Sequence, residues 1–281
     1  MENQNKNLSK SAIDETVACE KQIKLSIRNL RKYFKESDQL AVDNVSFDVY
    51  DGEFLSILGH SGCGKTTILR MIIGLISVTD GIILKDGKDI THEKVSKRKM
   101  GMVFQNYALF ENMTVLENVE YALKVNKETK ETAREVAKQL LSKMHLTRFA
   151  NKKPVELSGG QQQRVAIART LALKPDVILF DEPMSALDVS TRHELCEEIK
   201  RIQKVFKTTI IYITHDQEEA FLLSDRIMVM DTAKISQIGT PEEIMKNPAN
   251  KFVKEFVCEN LKNKVKNLER IVEMTNGCKK Q

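Results

Sequence analysis

The segment GHSGCGKTT, at positions 59–67, constrains the fold of this chain more than any other part of its sequence. It directly follows the apolar run FLSIL, and the apolar-periodic stretch ILRMIIGL comes directly after it. A short apolar run predicts a buried strand, and apolar residues at helical spacing predict a helix, so the glycines join a strand to a helix. A buried strand followed by a helix is typical of α/β folds with a parallel sheet.

The segment 59–67, called the phosphate loop below, has the composition of a nucleotide-binding loop. Gly59, Gly64, Lys65 and Thr66 match the spacing GxxxxGK[ST]. Glycines let backbone N–H groups turn inward around phosphates, and the following helix directs its positive end toward them. The lysine then reaches the β- and γ-phosphates, and the threonine ligates Mg²⁺. We therefore predict nucleotide binding by Gly59, His60, Ser61, Gly62, Cys63, Gly64, Lys65, Thr66 and Thr67.

An acidic pair follows a second apolar run, VILF, at positions 177–180. Asp181 and Glu182 are expected where this strand leaves the core. Alone, such a pair is explained equally well as a solvated strand end. Together with the phosphate loop it favours a metal site, in which Asp181 orients Mg²⁺ and Glu182 polarises the attacking water as a general base.

The segment LSGGQQQR, at 157–164 and called the signature segment below, is a second candidate site for a phosphate. A serine and two glycines precede the helical stretch VAIARTLAL, so free N–H groups, the helix dipole and the Ser158 hydroxyl together suit a γ-phosphate. The phosphate loop is already a complete site, so a second anion site predicts a nucleotide bound by a partner chain. The alternative is an ordinary N-capped helix. The residues concerned are Ser158, Gly159, Gly160 and Gln161.

These motifs resemble the ATP-binding cassette of ABC transporters over residues 23–257, and three further motifs agree. Gln105 in VFQNYALF resembles the glutamine loop, Asp188 in SALD resembles the D-loop, and His215 in ITHD resembles the switch histidine. The resemblance implies an α/β fold: a P-loop NTPase RecA-like core with an antiparallel β subdomain and an inserted α-helical subdomain. It also implies binding of ATP and Mg²⁺ by a competent ATPase.

The same resemblance implies a head-to-tail dimer in which each ATP lies between the phosphate loop of one cassette and the signature segment of the other. Gln105 then senses the metal and the water, joining Thr66 and Asp181 as metal ligands, and His215 contacts the γ-phosphate. Asp188 links the two sites across the interface. The resemblance further places Phe34 against the adenine ring, with Tyr33 as an alternative, and a core or surface aromatic as the plainer explanation.

The amino-acid sequences of these motifs resemble those of bacterial importer cassettes of the spermidine/putrescine type. This implies an ATP-hydrolysing subunit that works with integral membrane permeases and an extracytoplasmic solute-binding protein, pushing on the permease near 105–110. Iron(III), phosphonate and sulfate importers are alternative assignments. A non-transport ABC ATPase acting on ribosomes or DNA, and a nucleotide-regulated binding module without turnover, are the alternatives from other classes.

Composition bounds the cellular setting. The 44 basic and 39 acidic residues give a net charge of +5, too weak to favour nucleic acid as a partner. Five cysteines, an odd number without a CxxC pair, favour a reducing cytoplasm. The longest apolar run, MIIGLISV, is far short of the roughly 18 residues of a spanning helix. We expect a peripheral protein at the cytoplasmic face of the inner membrane, bound there through its permease.

The predicted organisation is a flexible tail over 1–22, the ABC ATPase domain over 23–257 with a helical subdomain at about 111–169, and a C-terminal helical extension over 258–281. Polyamine-type relatives carry a further β-rich regulatory domain, for which we expect no room here. The extension has apolar residues at helical spacing, which predicts a surface helix packed on the cassette, or alternatively one that docks a partner or lies on a membrane. These residues are Val257, Leu261, Val265, Leu268 and Val272.

Three positions depart from the family pattern. His60 replaces a proline, which leaves the phosphate-contacting positions unchanged. Glu111 replaces a proline in the region that faces the permease. Ala233 replaces a glycine in the hairpin turn MDTAKI, so the turn is expected to differ if that position needs a positive φ.

Overall fold

The computed structural model describes residues 21–36, 38–125, 129–185 and 188–277. The predicted tail lies outside this described part except for residues 21 and 22, and so do two residues of the SALD motif, Ala186 and Leu187. In the described part, no helix is long and apolar enough to cross a membrane.

A six-stranded sheet forms the centre of the molecule. Its strands are β3 (Phe54–Gly59), β6 (Met100–Val103), β7 (Val177–Asp181), β8 (Thr209–Thr214), β9 (Arg226–Asp231) and β10 (Lys234–Gly239). The spatial order is β10-β9-β3-β8-β7-β6, and only β10 runs antiparallel to its neighbour. Every residue of β3, β7 and β8 is buried, which explains why their sequences are continuous apolar runs.

A second, antiparallel sheet covers one face of the core. It contains β1 (Ile23–Phe34), β2 (Gln39–Tyr50), β4 (Asp80–Lys85) and β5 (Lys88–Asp89), in the order β2-β1-β4-β5. Helix α1 (Lys65–Ile73) packs between the two sheets, because its apolar residues share one buried cluster with β1, β2 and the parallel strands. The phosphate loop therefore leaves β3 and enters a helix that is held on both sides.

Helices fill the interval between β6 and β7. They are α3 (Val115–Val125), α4 (Lys130–Lys143) and α5 (Gly159–Leu171), preceded before β6 by the short α2 (Val95–Arg98). The apolar residues of α4 are buried against α3 and α5 in one cluster that continues into the parallel sheet. The predicted fold class, with its RecA-like core, antiparallel β subdomain and helical insertion, is confirmed.

The remaining helices follow the parallel strands. They are α6 (Val189–Phe206), α7 (Gln217–Leu223), α8 (Pro241–Lys246), α9 (Lys251–Val253) and α10 (Asn260–Gly277). Thr240 caps α8 in a reciprocal capping box with Glu243. A π-helical turn over Lys254–Glu259 joins α9 to α10, so the three pieces form one C-terminal helix.

The expectation that this C-terminal helix packs on the cassette is correct only for its first part. Val257 is fully buried and Leu261 is half-buried against the core. Val265, Leu268 and Val272 are 54%, 60% and 57% exposed, respectively, so the predicted apolar face continues into solvent. The apolar stripe therefore extends along the helix beyond the part that packs on the cassette.

The expectation for the Ala233 turn is also wrong. Thr232 and Ala233 form the two-residue loop between β9 and β10, with φ of +43° and +67°. Positive φ at both central positions is what a tight hairpin requires, so the turn keeps this geometry without a glycine. The alanine accepts the less favourable backbone conformation, and its carbonyl oxygen accepts a hydrogen bond from Asp43 N at 2.9 Å.

Candidate functional site

The phosphate loop connects the buried strand β3 to helix α1. Gly62 and Gly64 have φ of +83° and +102°, values that favour glycine. A Cβ atom on Gly64 would lie 2.3 Å from the carbonyl oxygen of Ala41, so the loop approaches β2 too closely for any side chain. Gly64 is also the N-cap of α1 and supplies no side-chain cap, which leaves the positive end of the helix open to an anion.

Lys65 places a buried positive charge in the middle of this loop. Its side chain is only 3% exposed, and its ammonium group donates hydrogen bonds of 2.8 Å to the carbonyl oxygens of Gly59 and His60. A carboxylate oxygen of Glu182 lies 3.9 Å away. A cation removed from water interacts strongly with an anion brought into the loop, because local screening is weak.

Thr66 and Asp181 meet beside the loop. The Thr66 hydroxyl donates a hydrogen bond of 2.7 Å to Asp181 Oδ1, and Asp181 is 5% exposed. Burial raises the pKa of Asp181 above its ordinary value of 3.8, although the bond from Thr66 opposes this effect. A hydroxyl and a carboxylate oxygen side by side are the hard ligands that Mg²⁺ prefers. The predicted metal ligands Thr66 and Asp181 are thus adjacent.

Glu182 lies between two other predicted residues. One carboxylate oxygen is 3.9 Å from Lys65 Nζ, and the other is 3.3 Å from His215 Nδ1. Its φ is +45°, a left-handed conformation that costs a non-glycine residue about 1–2 kcal/mol. Its N–H donates to the Ile213 carbonyl oxygen at 3.2 Å, which helps to fix this conformation. The strained backbone turns the side chain toward the loop, whereas Asp181 continues the strand.

Gln105 reaches this group through an intermediate residue that sequence reasoning missed. Its Nε2 donates to Ser185 Oγ at 3.1 Å, and that hydroxyl donates to the Glu182 carbonyl oxygen at 3.2 Å. Ser185 is the first residue of the SALD motif, so its position was visible, but nothing in the sequence paired it with a glutamine eighty positions away. The serine joins the helical subdomain boundary to the acidic pair.

A polar network supports the segment that carries His215. The buried carboxylate of Glu219 accepts a hydrogen bond of 2.8 Å from the Thr214 hydroxyl and lies 3.4 Å from the Arg192 guanidinium. Arg192 also pairs with Asp216 at 3.2 Å. Burial raises the pKa of Glu219. The flanking residues are held firmly, while the imidazole itself remains half exposed to solvent.

The signature segment and the D-loop residue lie together at the starts of α5 and α6. Ser158 and Gln161 form a capping box, with contacts of 3.4 Å and 3.1 Å. Asp188 caps α6 and accepts two hydrogen bonds from Thr191, whose methyl group lies against Gly160. Within the described ranges, no hydrogen bond or ion pair joins Ser158 to the phosphate loop. The structure therefore gathers the predicted residues into two separate groups.

The two candidate adenine-stacking residues lie at the end of the β1–β2 hairpin. Phe34 is half-buried, and the Lys32 ammonium lies 5.0 Å from its ring centroid. Tyr33 is 37% exposed and its hydroxyl bonds to Asp38. Strand β2, which follows in this hairpin, also supplies Ala41, the residue that faces Gly64. Both rings therefore border the strand that the phosphate loop touches.

His60 makes a contact that the sequence did not indicate. Its ring centroid lies 4.2 Å from that of Phe256 and 5.7 Å from that of Phe252, both at the root of the C-terminal helix. Gln217, in the helix that follows the switch histidine, donates to the Phe256 carbonyl oxygen at 3.1 Å. The root of the C-terminal helix thus touches both the phosphate loop and the segment after His215.

A strand–loop–helix unit with a buried lysine, beside a threonine–aspartate pair at a strand end, defines a P-loop nucleotide-binding protein. Residues 42–185, just over half of the chain, match a family model described as ABC transporter. The chain belongs to the ABC transporter family, as its motifs imply.

Similar proteins agree with this assignment. The chain is 47% identical over 239 residues to the spermidine/putrescine import ATP-binding protein PotA of Marinobacter nauticus, and 44% identical over 235 residues to PotA of Borreliella afzelii. These matches cover 85% and 84% of this chain but 64% and 68% of the relatives. A solved structure of the ATP-binding cassette MJ0796, a dimer in a post-hydrolysis state bound to ADP and Pi, is 35% identical with a TM-score of 0.69. That match covers 77% of this chain and 98% of MJ0796.

Proposed function

We propose that the chain is the ATP-hydrolysing subunit of a bacterial ABC importer, and that it couples ATP binding and hydrolysis to the uptake of polyamines such as spermidine and putrescine. The observation that carries the proposal is the position of Glu182, whose carboxylate lies between Lys65 and His215 at 3.9 and 3.3 Å. A module that only bound nucleotide would have no use for a carboxylate restrained in this place.

Nucleotide binding is assigned to the phosphate loop and the uncapped start of α1. Lys65 would exchange its two carbonyl partners for phosphate oxygens without leaving its buried position. Phe34, at the end of the neighbouring hairpin, would stack on the adenine ring. The Thr66 hydroxyl and the Asp181 carboxylate would hold Mg²⁺, with Gln105 as the further ligand. The metal would supply neutralisation of phosphate charge when bound.

Hydrolysis is assigned to Glu182 as the general base that polarises the attacking water. His215 is within hydrogen-bonding range of that carboxylate and would contact the γ-phosphate, so the two side chains would position the water and the phosphate together. Gln105 would report the state of the site to the helical subdomain, because its amide is tied through Ser185 to the backbone of Glu182. Each of these roles belongs to a residue of this chain.

A second cassette is proposed because the signature segment has no nucleotide site of its own. The start of α5 carries Ser158, Gly159, Gly160 and Gln161, but the loop lysine and the acidic pair lie elsewhere in the chain. In a head-to-tail dimer, α5 would direct its positive end at the nucleotide on the partner's phosphate loop, and Asp188 would lie at the interface. The same chain can supply both halves of each site.

A permease is proposed to dock in a groove of about 750 Å³ between the edge strand β6 and the helical subdomain. Its walls include Met102, Phe110 and Tyr121, which offer apolar surface to a short helix. Arg169 also lines the groove and donates hydrogen bonds to the carbonyl oxygens of residues 107 and 108, next to Gln105. A push in the groove would therefore be passed to the segment that carries Gln105, and from Gln105 through Ser185 to Glu182.

The solute and the location are inferred from the named relatives. Two of them are spermidine/putrescine import proteins, and no residue of a cassette needs to touch the solute, so polyamine uptake is proposed through the complex. The permease would hold the chain at the cytoplasmic face of the inner membrane, with an extracytoplasmic solute-binding protein on the other side.

The proposal is tested by affinity purification of tagged Glu182→Gln protein from detergent-solubilised membranes with ATP and Mg²⁺, followed by mass spectrometry. Recovery of a multi-span permease is the expected result, and recovery of ribosomal proteins or DNA without a permease would overturn it. Tyr121→Glu in the groove is expected to abolish permease recovery. Val155→Glu, on a residue 82% exposed in the same subdomain but outside the groove, is the matched control.

A further inference from the structure

Helix α10 carries an apolar stripe away from the body of the cassette. Leu261 still touches the core, and Lys264 pairs with Glu218 at 3.1 Å and Asp216 at 3.7 Å. In the described part of the chain, Lys264 is the last residue of this helix that forms an ion pair with the body of the cassette. Beyond it, Val265 and Leu268 are 54% and 60% exposed on one face. Exposed apolar side chains that lie next to each other on one helix face, unlike ones scattered singly, call for a physical explanation.

The spacing of the stripe is that of a coiled coil. Leu261, Val265, Leu268 and Val272 are separated by four, three and four residues, which places valine at the a positions and leucine at the d positions of a heptad. In parallel pairs, a β-branched residue at a and leucine at d favour two strands. A helix that only packed on its own cassette would not need this choice of side chains so far from the core.

The charges beside the stripe identify the partner more closely. In the same heptad, Lys264 occupies a g position and Glu269 the following e position. A parallel pair of identical helices brings each g residue beside the e residue five positions on in the other helix. Glu269 of one chain therefore lies beside Lys264 of the second copy on both sides of the seam. The Lys264 ammonium is already paired with Glu218 and Asp216 of its own cassette, and because the side chain is 43% exposed, a parallel pairing extends that ion-pair network across the seam.

We propose that α10 pairs in parallel with α10 of a second copy, forming a short coiled coil that holds two cassettes together in addition to their nucleotide contacts. The inference rests on the proposed two-cassette assembly. It adds an interface that involves no nucleotide. Two heptads are too short to dimerise strongly alone, but two cassettes already joined raise the effective concentration of the helices to the order of millimolar.

The root of the helix agrees with this arrangement. Phe256 packs on His60 of the phosphate loop, and Gln217 follows the switch histidine. In the proposed dimer both of these regions face the second cassette. The stripe therefore begins beside two regions that the proposed dimer brings to the second cassette, and isologous pairing of identical helices fits the two-fold axis of such a dimer.

Site-specific cross-linking tests the pairing in the full chain. Cys19 and Cys278 are replaced by serine, whereas the three other cysteines are buried and stay. Leu268→Cys places a thiol at a d position, and Arg270→Cys places one on the opposite face as the matched control. With a short bismaleimide, ATP and Mg²⁺, the d-position variant is expected to form covalent dimers about tenfold faster than the control, because only its thiols face each other.

Sedimentation with the uncrosslinked chain gives the second measurement. The double variant Val265→Asp/Leu268→Asp is expected to raise the dimer dissociation constant at least about tenfold, since charges replace the buried seam. Val205→Asp, at a valine 57% exposed on α6, is the control and should leave it unchanged. Glu269→Lys should weaken the dimer, because it places a second ammonium group beside Lys264 of the other copy, and the neutral Glu269→Gln should weaken it less.

The outcomes separate this inference from the proposed function. An ATP-dependent dimer in which both cysteine variants cross-link equally slowly would overturn the helix pairing and leave the importer assignment standing. Absence of any ATP-dependent dimer would overturn the assembly of two copies and the helix pairing that rests on it, while permease recovery with tagged Glu182→Gln protein would still decide the importer assignment. Binding of the parent chain, but not the double aspartate variant, to anionic phosphatidylglycerol vesicles, together with slow cross-linking, would assign the stripe to a membrane instead and reject the pairing.

Discussion

Two helices of this protein begin at glycine-rich segments, and their starts are built differently. Helix α1 begins after a glycine with no side-chain cap, around a buried lysine, and beside the Thr66–Asp181 pair. Helix α5 begins with a serine whose capping box closes the helix start with residues of the same segment. Neither helix has an acidic residue in its first turn. On the proposed function, the first start is a complete anion site within one chain, and the second is half of a site that a partner chain completes.

The half-site at α5 is closed loosely. The bond from Gln161 N to Ser158 Oγ is 3.4 Å long, at the limit of a hydrogen bond, and Ser158 is exposed. A phosphate arriving from another chain can take over these N–H groups at little cost, because a charge-assisted bond is stronger than the weak cap that it replaces. Substitutions at the start of α1 are therefore expected to change ATP binding by a single chain. Substitutions at the start of α5 are expected to change the association of two chains.

The largest expected effect is on hydrolysis at the complete site. Glu182→Gln keeps the shape of the side chain but removes the base, so the rate of ATP hydrolysis should fall about 10²- to 10⁴-fold. Nucleotide affinity, measured by fluorescence titration of a labelled ATP analogue, should fall little. If the variant kept the parental hydrolysis rate, Glu182 would have no part in the mechanism. The start of α1 would then differ from that of α5 only in binding phosphate within one chain.

A paired substitution separates the two helix starts directly. Lys65→Ala removes the buried ammonium and should weaken ATP binding about tenfold to hundredfold at any protein concentration, since bonds from charged donors are worth about 1.5–3 kcal/mol. Ser158→Glu places a carboxylate at the α5 start. It should leave ATP binding by dilute, monomeric protein unchanged and abolish ATP-induced dimers, as measured by titration and by sedimentation.

The matched control for the paired substitution is Ser158→Asn, because asparagine caps a helix as well as serine does and adds no charge. It should dimerise nearly as well as the parent. If Ser158→Glu weakened ATP binding in the monomer as strongly as Lys65→Ala, both helix starts would act on the same nucleotide, and the division into complete and half sites would be wrong.

Sequence predicted which residues lie together around the phosphate loop, because the motifs that contain them are local in the chain. Four positions in the phosphate loop, together with the last residue of β7 and the residue after it, fix the residue types. The apolar runs around them showed the strand and helix context. The Ser185 bridge and the stacking of Phe256 on His60 were not predictable, since each joins residues far apart in the chain. The exposure of Leu268 was missed because helical spacing shows that a face is apolar but not where the surface beneath it ends.

Stability offers a smaller, independent comparison of the two starts. Gly64→Ala should cost about 1–3 kcal/mol of unfolding free energy, because the residue has φ +102° and its Cβ would lie 2.3 Å from a backbone oxygen. At Gly160 the new Cβ would meet only the Thr191 methyl group at 2.7 Å, and no positive φ is involved.

Gly160→Ala should therefore be close to neutral, since a gain in helix propensity of about 1 kcal/mol offsets a contact that a side chain can relieve. Urea unfolding without nucleotide measures both variants. Equal losses of unfolding free energy would indicate that the start of α5 is as rigidly packed as the phosphate loop. The interpretation of α5 as a weakly capped half-site would then be wrong.

The smallest expected effect is on thiol reactivity. It distinguishes the two helix starts because ATP protection of a thiol should depend on protein concentration at α5 but not at α1. Cys63 in the phosphate loop is 6% exposed, and burial raises the pKa of its thiol above the ordinary 9.0, so its alkylation should be slow near neutral pH and faster as pH rises. ATP should slow it severalfold further at every protein concentration, because the nucleotide covers the loop. Ser158→Cys should react quickly and be protected by ATP only at concentrations where dimers form. Mass spectrometry of the modified peptides measures the alkylation of each thiol. Protection of both thiols in dilute monomer would place one nucleotide over both helix starts. Protection of the Ser158→Cys thiol only at concentrations where dimers form would place the nucleotide between two chains.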